Sequence, residues 1–108
     1  MDVGIDIQKI SSFKEFKKNK NFYNHIFTEK EIEYCLKKSD YKSCFCAKFC
    51  GKEAVIKALD KKVSLKEIEI LNSPSGKPYV KIKSVVQKNI VISLSHSDGI
   101  CVGVAIKK

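Results

Sequence analysis

The stretch from Ser43 to about Leu59 constrains this chain more than any other, because it reads as one long helix in a protein of only 108 residues. A helix of that length is the element against which the remaining elements must pack. Within it Phe49, Glu53 and Lys57 follow at steps of four and share a face. Two further residues are placed to join them. Asp6 lies in the first strand, Gly4-Ile5-Asp6-Ile7, and His96 ends the late strand that begins at Val91. Two acids from separate elements can hold a divalent cation, and a lysine and a histidine nearby can hold phosphate. The set suits phosphoryl-group chemistry.

The flanking segments complete an α+β pattern. Residues 2 to 7 alternate, with Val3, Ile5 and Ile7 on one side and Asp6 on the other, as expected of an N-terminal strand. Ser11 and Ser12 can cap a helix running to about Lys20, with Ile10, Phe13 and Phe16 as its apolar stripe. Its opposite face would carry Lys14, Lys17, Lys18 and Lys20. Thr28-Glu29-Lys30-Glu31 is a capping box, predicting a second helix from 29 to about 37 with Ile32 and Leu36 inward. After Lys62 the texture becomes strand-like. Leu65, Ile68 and Ile70 lead into the turn-rich Asn72–Pro78 run, and Tyr79 to Lys83 read as the returning strand of a hairpin. Residues 89 to 95 and 100 to 106 form two more strands around Asp98-Gly99. The expected order is a strand, three helices with one long and central, then a largely antiparallel four-strand meander.

Length sets one domain over 1–108. The 44% hydrophobic and 31% charged composition is that of a globular chain, and no apolar run reaches the roughly 20 residues of a membrane span. Asp2 and Asp6 interrupt the apolar start and no basic segment precedes it, so no signal peptide and a cytoplasmic location are expected. The net charge is +9, and all 21 basic residues are lysine. Any phosphate would thus be held by compact ammonium groups rather than by planar guanidinium forks. Such a charge expects anionic company, whether nucleic acid, acidic protein, anionic membrane or a multiply phosphorylated small molecule. Five cysteines at 35, 44, 46, 50 and 101 are expected as thiols packed in the core, since their spacing makes no zinc knuckle.

Taken singly, these signals have ordinary readings. Glu53 and Lys57 are a common surface pair, Asp6 can meet a turn amide, and His96 can be a turn residue. Their joint occurrence with further blocks is what changes the balance. Phe27-Thr28 with Glu31 is followed by Phe45-x-Ala47-Lys48-Phe49-x-x-Lys52-Glu53-Ala54-x-x-Lys57-Ala58. Then come Ile68-Glu69-Ile70, Asn72-x-x-x-Gly76-Lys77-Pro78, and Ile92-Ser93-x-Ser95-His96-Ser97. Together with Gly4-Ile5-Asp6-Ile7 they span nearly the whole chain, which resembles the holo-acyl-carrier-protein synthases, the short type of 4′-phosphopantetheinyl transferase.

The resemblance implies the 4′-phosphopantetheinyl transferase fold. It also implies transfer of the 4′-phosphopantetheine arm of coenzyme A to a serine of an apo acyl carrier protein. Adenosine 3′,5′-bisphosphate would be released, as a step serving fatty acid biosynthesis. Asp6 and Glu53 would hold Mg²⁺, Lys57 would stabilise the leaving phosphate, and Glu53 is the first candidate for the base that takes the serine proton. By the same resemblance Lys48, standing where the family usually has arginine, and His96 would lie near the coenzyme phosphates, with Gly76-Lys77-Pro78 beside the nucleotide. A homotrimer with active sites between subunits is implied, and Lys14, Lys17 and Lys18 would dock the acidic carrier protein. Asp60-Lys61-Lys62 departs from the glycine-containing turn usual after the central helix. The alternative is a small basic nucleic-acid-binding domain; it lacks helix-turn-helix spacing, an aromatic-studded strand or a zinc knuckle. Neither a nucleic-acid nor a membrane partner is therefore expected.

Overall fold

Two residues without side chains let the long helix lie directly on a sheet. A Cβ at Gly4 would fall on the carbonyl of Ala54, and one at Gly103 would come within 2.7 Å of the Cys50 carbonyl carbon. Both glycines therefore mark places where strand and helix backbones touch. The computed structural model describes Met1–Lys108. Strand β1 (Asp2–Lys9) is followed by short 3₁₀ turns at Ile10–Ser12 and Phe16–Lys18. Three helices come next: α1 (Lys20–Ile26), α2 (Glu29–Leu36) and α3 (Tyr41–Ala58). A 3₁₀ turn at Leu65–Glu67 leads into β2 (Ile68–Asn72), β3 (Pro78–Ile82), β4 (Val85–Val86), β5 (Ile90–Ser97) and β6 (Ile100–Lys107).

The architecture is α+β with antiparallel pairing throughout, as expected, but the meander divides. One sheet has the order β1-β6-β5 and the other β2-β3-β4. The short β4, unforeseen in the sequence, ends the second sheet, so β3 and β5 pack without pairing. Strand β1 pairs along its whole length with β6, joining the two ends of the chain. Helix α3 lies between two cores. Its later turns pack Ala54, Val55 and Ala58 against Ile70, Val80 and Ile92, while Phe45 and Cys46 meet the aromatic group of Phe13, Tyr23 and Phe27.

Three local expectations are corrected. The helix expected over 12–20 does not form; α1 begins only at Lys20. Two tyrosine hydroxyls take the backbone groups such a helix would use: Tyr23 donates to the Lys14 carbonyl, and the Phe16 amide donates to Tyr41 at 3.2 Å. Burial of Phe13, Phe16 and Tyr23 in one aromatic group outweighs local propensity there. In α2 the capping box forms as predicted, but Leu36 is 41% exposed and Glu31 and Cys35 face inward. Finally, Cys35 and Cys44 are a disulfide linking α2 to α3, whereas all five cysteines were expected as thiols. Cys46, Cys50 and Cys101 are the buried thiols.

Candidate active site

Asp6 sits on the face of β1 that meets α3, and is nearly buried. Because Gly4 admits the helix so closely, the exposed face of α3 begins where Asp6 ends. Lys57 Nζ lies 3.3 Å from Asp6 Oδ1 and donates to the Ile5 carbonyl at 2.9 Å. Gln8 Nε2 donates to Asp6 Oδ2 at 3.1 Å, so both carboxylate oxygens are oriented. Glu53, one turn before Lys57, is held above the usual carboxylate range by burial and then by the negative charge of Asp6, with Lys57 partly opposing. The two acids and the lysine thus converge, and Lys57 pairs with Asp6 rather than with its helix neighbour Glu53.

This pair of acids fits a divalent ion. Their mutual repulsion is what a cation between them would relieve, and Mg²⁺ characteristically takes one or two carboxylates, leaving other positions to water and phosphate. No third His, Cys, Asp or Glu completes an all-protein cage. Two carboxylates would leave an ion's remaining positions to water or to an anionic ligand.

Lys48 and His96 are also brought together, but elsewhere. They line a cleft of about 370 Å³ with Tyr34, Lys38, Asp40 and Cys44. Lys48 is buried and donates to the Ile70 carbonyl (2.6 Å) and to Asn72 Oδ1 (2.9 Å), with its ammonium 4.6 Å from the Tyr34 ring centre. Burial pushes its pKa down to about 8. Asn72 in turn donates to the Gly76 carbonyl at 2.9 Å, tying the cleft to the Gly76-Lys77-Pro78 turn, where Gly76 has φ +94°. Lys77 and Pro78 line an adjoining depression with Ser73, Tyr79 and Lys88. Nine residues separate Lys48 from Lys57, about two and a half turns of helix, so the two groups occupy opposite faces of α3.

The predicted basic face is rebuilt rather than lost. Lys14, Lys17, Lys18 and Lys20 are exposed and, although not on one helix, they border two depressions that share Phe22.

A family model described as the 4′-phosphopantetheinyl transferase superfamily matches residues 2–105. The chain belongs to this superfamily. Among curated members, the holo-[acyl-carrier-protein] synthase of Caldicellulosiruptor bescii is 36% identical, the match covering 97% of this chain and 95% of that protein. Two solved transferase structures are similar. A holo-(acyl-carrier-protein) synthase from Bacillus anthracis, in complex with CoA (3′,5′-ADP), has a TM-score of 0.79 and 27% identity over 96% of this chain and 92% of that one. The Helicobacter pylori synthase in complex with coenzyme A has a TM-score of 0.79 and 26% identity, covering 98% and 99%.

The supports of this candidate site carry little signal in the sequence. Glu31 is more than a cap. Its carboxylate accepts from the Thr28 and Ile70 amides and pairs with the fully buried Lys52 at 2.7 Å. Lys52 also donates to the carbonyls of Ile26, Leu65 and Ile68, locking the residue before Glu53 to three other segments. A lysine and a glutamate 21 positions apart carry no periodic signal, so only the fold reveals them as a pair. Gln8 was visible two residues from Asp6 on the same strand face, yet nothing in a strand pattern marks it as a partner.

Proposed function

We propose that this chain transfers the 4′-phosphopantetheine arm of coenzyme A to a serine of an apo acyl carrier protein and releases adenosine 3′,5′-bisphosphate. The observation that carries the proposal is the convergence of Asp6, Glu53 and Lys57 on one exposed edge of α3. It is supported by relatives named for this activity and by the similar structures that hold coenzyme A.

Asp6 and Glu53 would hold Mg²⁺, which supplies charge neutralisation at the coenzyme pyrophosphate. The chain's own groups do the rest. Lys57, held beside Asp6, presents an ammonium to the oxygen on which charge accumulates as the bridging bond breaks. Glu53, on the same exposed edge as Lys57 and close to Asp6, is placed to accept the serine hydroxyl proton. Gln8 keeps the Asp6 carboxylate from rotating. Lys48 and His96 provide positive charge for the phosphates at the nucleotide end, and Gly76-Lys77-Pro78 would flank the nucleotide.

One coenzyme molecule cannot reach opposite faces of α3 in a single chain without leaving the surface, which favours a site shared between two chains. An outward apolar face exists for such an assembly. Val3, Ile5 and Ile7 are 65%, 61% and 62% exposed on β1, beside the half-exposed Val102, Val104 and Ile106 of β6. A sheet face of this kind is suited to further copies of the same chain, in the homotrimer read from the resemblance. The exposed Lys14, Lys17, Lys18 and Lys20 around Phe22 offer charge and an apolar anchor to an acidic carrier protein. No helix is long and apolar enough to cross a membrane, and action in the cytoplasm on a carrier of fatty acid biosynthesis is the setting this chemistry fits.

The deciding experiment incubates the protein with Mg²⁺, coenzyme A and apo carrier protein. The carrier should gain the mass of one phosphopantetheine arm; no gain at saturating concentrations removes the proposal.

A further inference from the structure

We propose that Cys35 and Cys44 form a reversible thiol–disulfide site that tightens the Lys48–His96 cleft when oxidised and loosens it when reduced by a small thiol. The two residues come from different helices, with Cα atoms 5.5 Å apart, a separation suited to a disulfide without backbone movement. Cys35 is fully buried near the end of α2; Cys44 is half-buried near the start of α3 and lines the cleft itself. One sulfur is therefore reachable from the cleft and the other is not.

What the link closes is the cleft wall. The segment between the two cysteines contains Lys38, Ser39, Asp40 and Ser43, all of which line the cleft, and Tyr34 immediately precedes Cys35. Tyr34 lies 4.6 Å below the Lys48 ammonium and 4.7 Å below that of Lys38. Besides the packing of Ile32 and Tyr34, the last turn of α2 offers only Cys35 to the interior, since Leu36 points outward and the Lys37–Glu33 pair is a surface contact. Its anchor is Cys35. At the other end Asp40 caps α3 through Ser43, which fixes the start of the helix but not α2. Breaking the bond leaves Tyr34 held by packing and by the Lys48 ammonium, and the following loop by the Asp40–Ser43 cap, so the groups facing a phosphate lose their one covalent constraint and part of their preorganisation.

The chemistry balances with a low-molecular-weight thiol as reductant. Its thiolate attacks the accessible Cys44 sulfur, the Cys35–Cys44 bond breaks, and Cys35 leaves with the electron pair and takes a proton. A second thiol then attacks the small-molecule sulfur of the mixed disulfide, freeing Cys44 as a thiol and yielding the oxidised small molecule. Two electrons and two protons pass to the protein, and oxidation by the corresponding small disulfide is the reverse. Coenzyme A is itself a thiol of this class. In a reducing compartment, disulfides that persist only conditionally serve as sensors rather than staples.

The disulfide stands on its own geometry, whereas its effect on binding rests on the coenzyme reading of the cleft. Two measurements keep them separate. The whole protein is equilibrated with either oxidised or reduced glutathione, denatured, and its thiols alkylated and weighed. Oxidised protein should carry three labels and a Cys35–Cys44 linked peptide, and reduced protein five; five labels in both states overturn the proposal. Binding is then measured calorimetrically with adenosine 3′,5′-bisphosphate, which has no thiol to disturb the redox state. The oxidised form should bind about fivefold more tightly, a typical gain for cutting the ordering cost of one loop. Cys44→Ser, and Cys35→Ser if it folds, should bind like the reduced protein in both buffers. Equal affinity of the two wild-type forms overturns the gating. Absence of binding in both forms, with three labels retained, overturns the gating through the coenzyme reading while leaving the disulfide supported.

Discussion

Glu53 and Lys48 are the residues whose surroundings alter their chemistry most usefully. Glu53 has its folded pKa raised by burial and by Asp6. A raised carboxyl contributes stability below its unfolded pKa and loses it as pH rises through the folded value. At neutral pH without metal, ionised Glu53 is therefore a cost to the fold. Glu53→Gln should melt about 2–4 °C higher than the parent in chelator at pH 7.5, and the difference should vanish below about pH 4. The same variant should lose at least about a hundredfold in turnover and show no melting shift with Mg²⁺. Scanning fluorimetry and the carrier-mass assay check both halves. Lys48 titrates at about 8, so bisphosphate affinity should fall about tenfold between pH 7 and pH 9 as the ammonium is lost. Lys48→Arg should flatten that decline, because a guanidinium stays charged; an unchanged slope would show that another group controls it.

At the scale of elements, the contact of β1 with α3 decides whether a site exists. Gly4→Ala places a methyl on the Ala54 carbonyl and should destabilise the fold by roughly 1–3 kcal/mol in denaturant titration. Its turnover should fall further than its stability suggests, because Asp6 moves away from Glu53 and Lys57 together. The segment between β1 and α1 behaves differently. Its lysines were legible as a basic group, but their helix was not, since Tyr23 and Tyr41 capture backbone groups from distant positions. Replacing Lys14, Lys17 and Lys18 by Ser should weaken carrier affinity about tenfold at low salt and leave coenzyme binding unchanged. Loss of coenzyme binding instead would place these lysines at the wrong substrate. Helix α2 shows the same limit of periodicity: a pattern that points Leu36 inward cannot anticipate that Glu31 is retained inside by Lys52.

For the molecule as a whole, the opposite placement of Lys48 and Lys57 on α3 makes the shared site testable by mixing. Glu53→Gln and Lys48→Ala chains should each be nearly inactive at low coenzyme A. Co-expressed in equal amounts, they should recover about a quarter of parental activity, because one site in four then combines two intact halves. No recovery, with mixed assemblies shown by mass, would confine the site to one chain. Ile5, outward on β1, is where an added charge should break the proposed assembly, read as a fall in mass in solution.

The local instructions were readable in the sequence. The long helix with Phe49, Glu53 and Lys57 on one face, the Thr28 capping box, the Gly76-containing turn and the strand character of both ends all follow from short-range spacing. So did the candidacy of Asp6, since a polar residue opposite three apolar ones on a strand must be explained. Tertiary structure alone decided what those pieces meet. It turned the apolar side of β1 outward, split the strands into two sheets, paired Lys52 with Glu31 and joined Cys35 to Cys44. Each of these depends on backbone approach and burial between residues of different elements, and periodicity encodes faces within an element, not the partner that covers them.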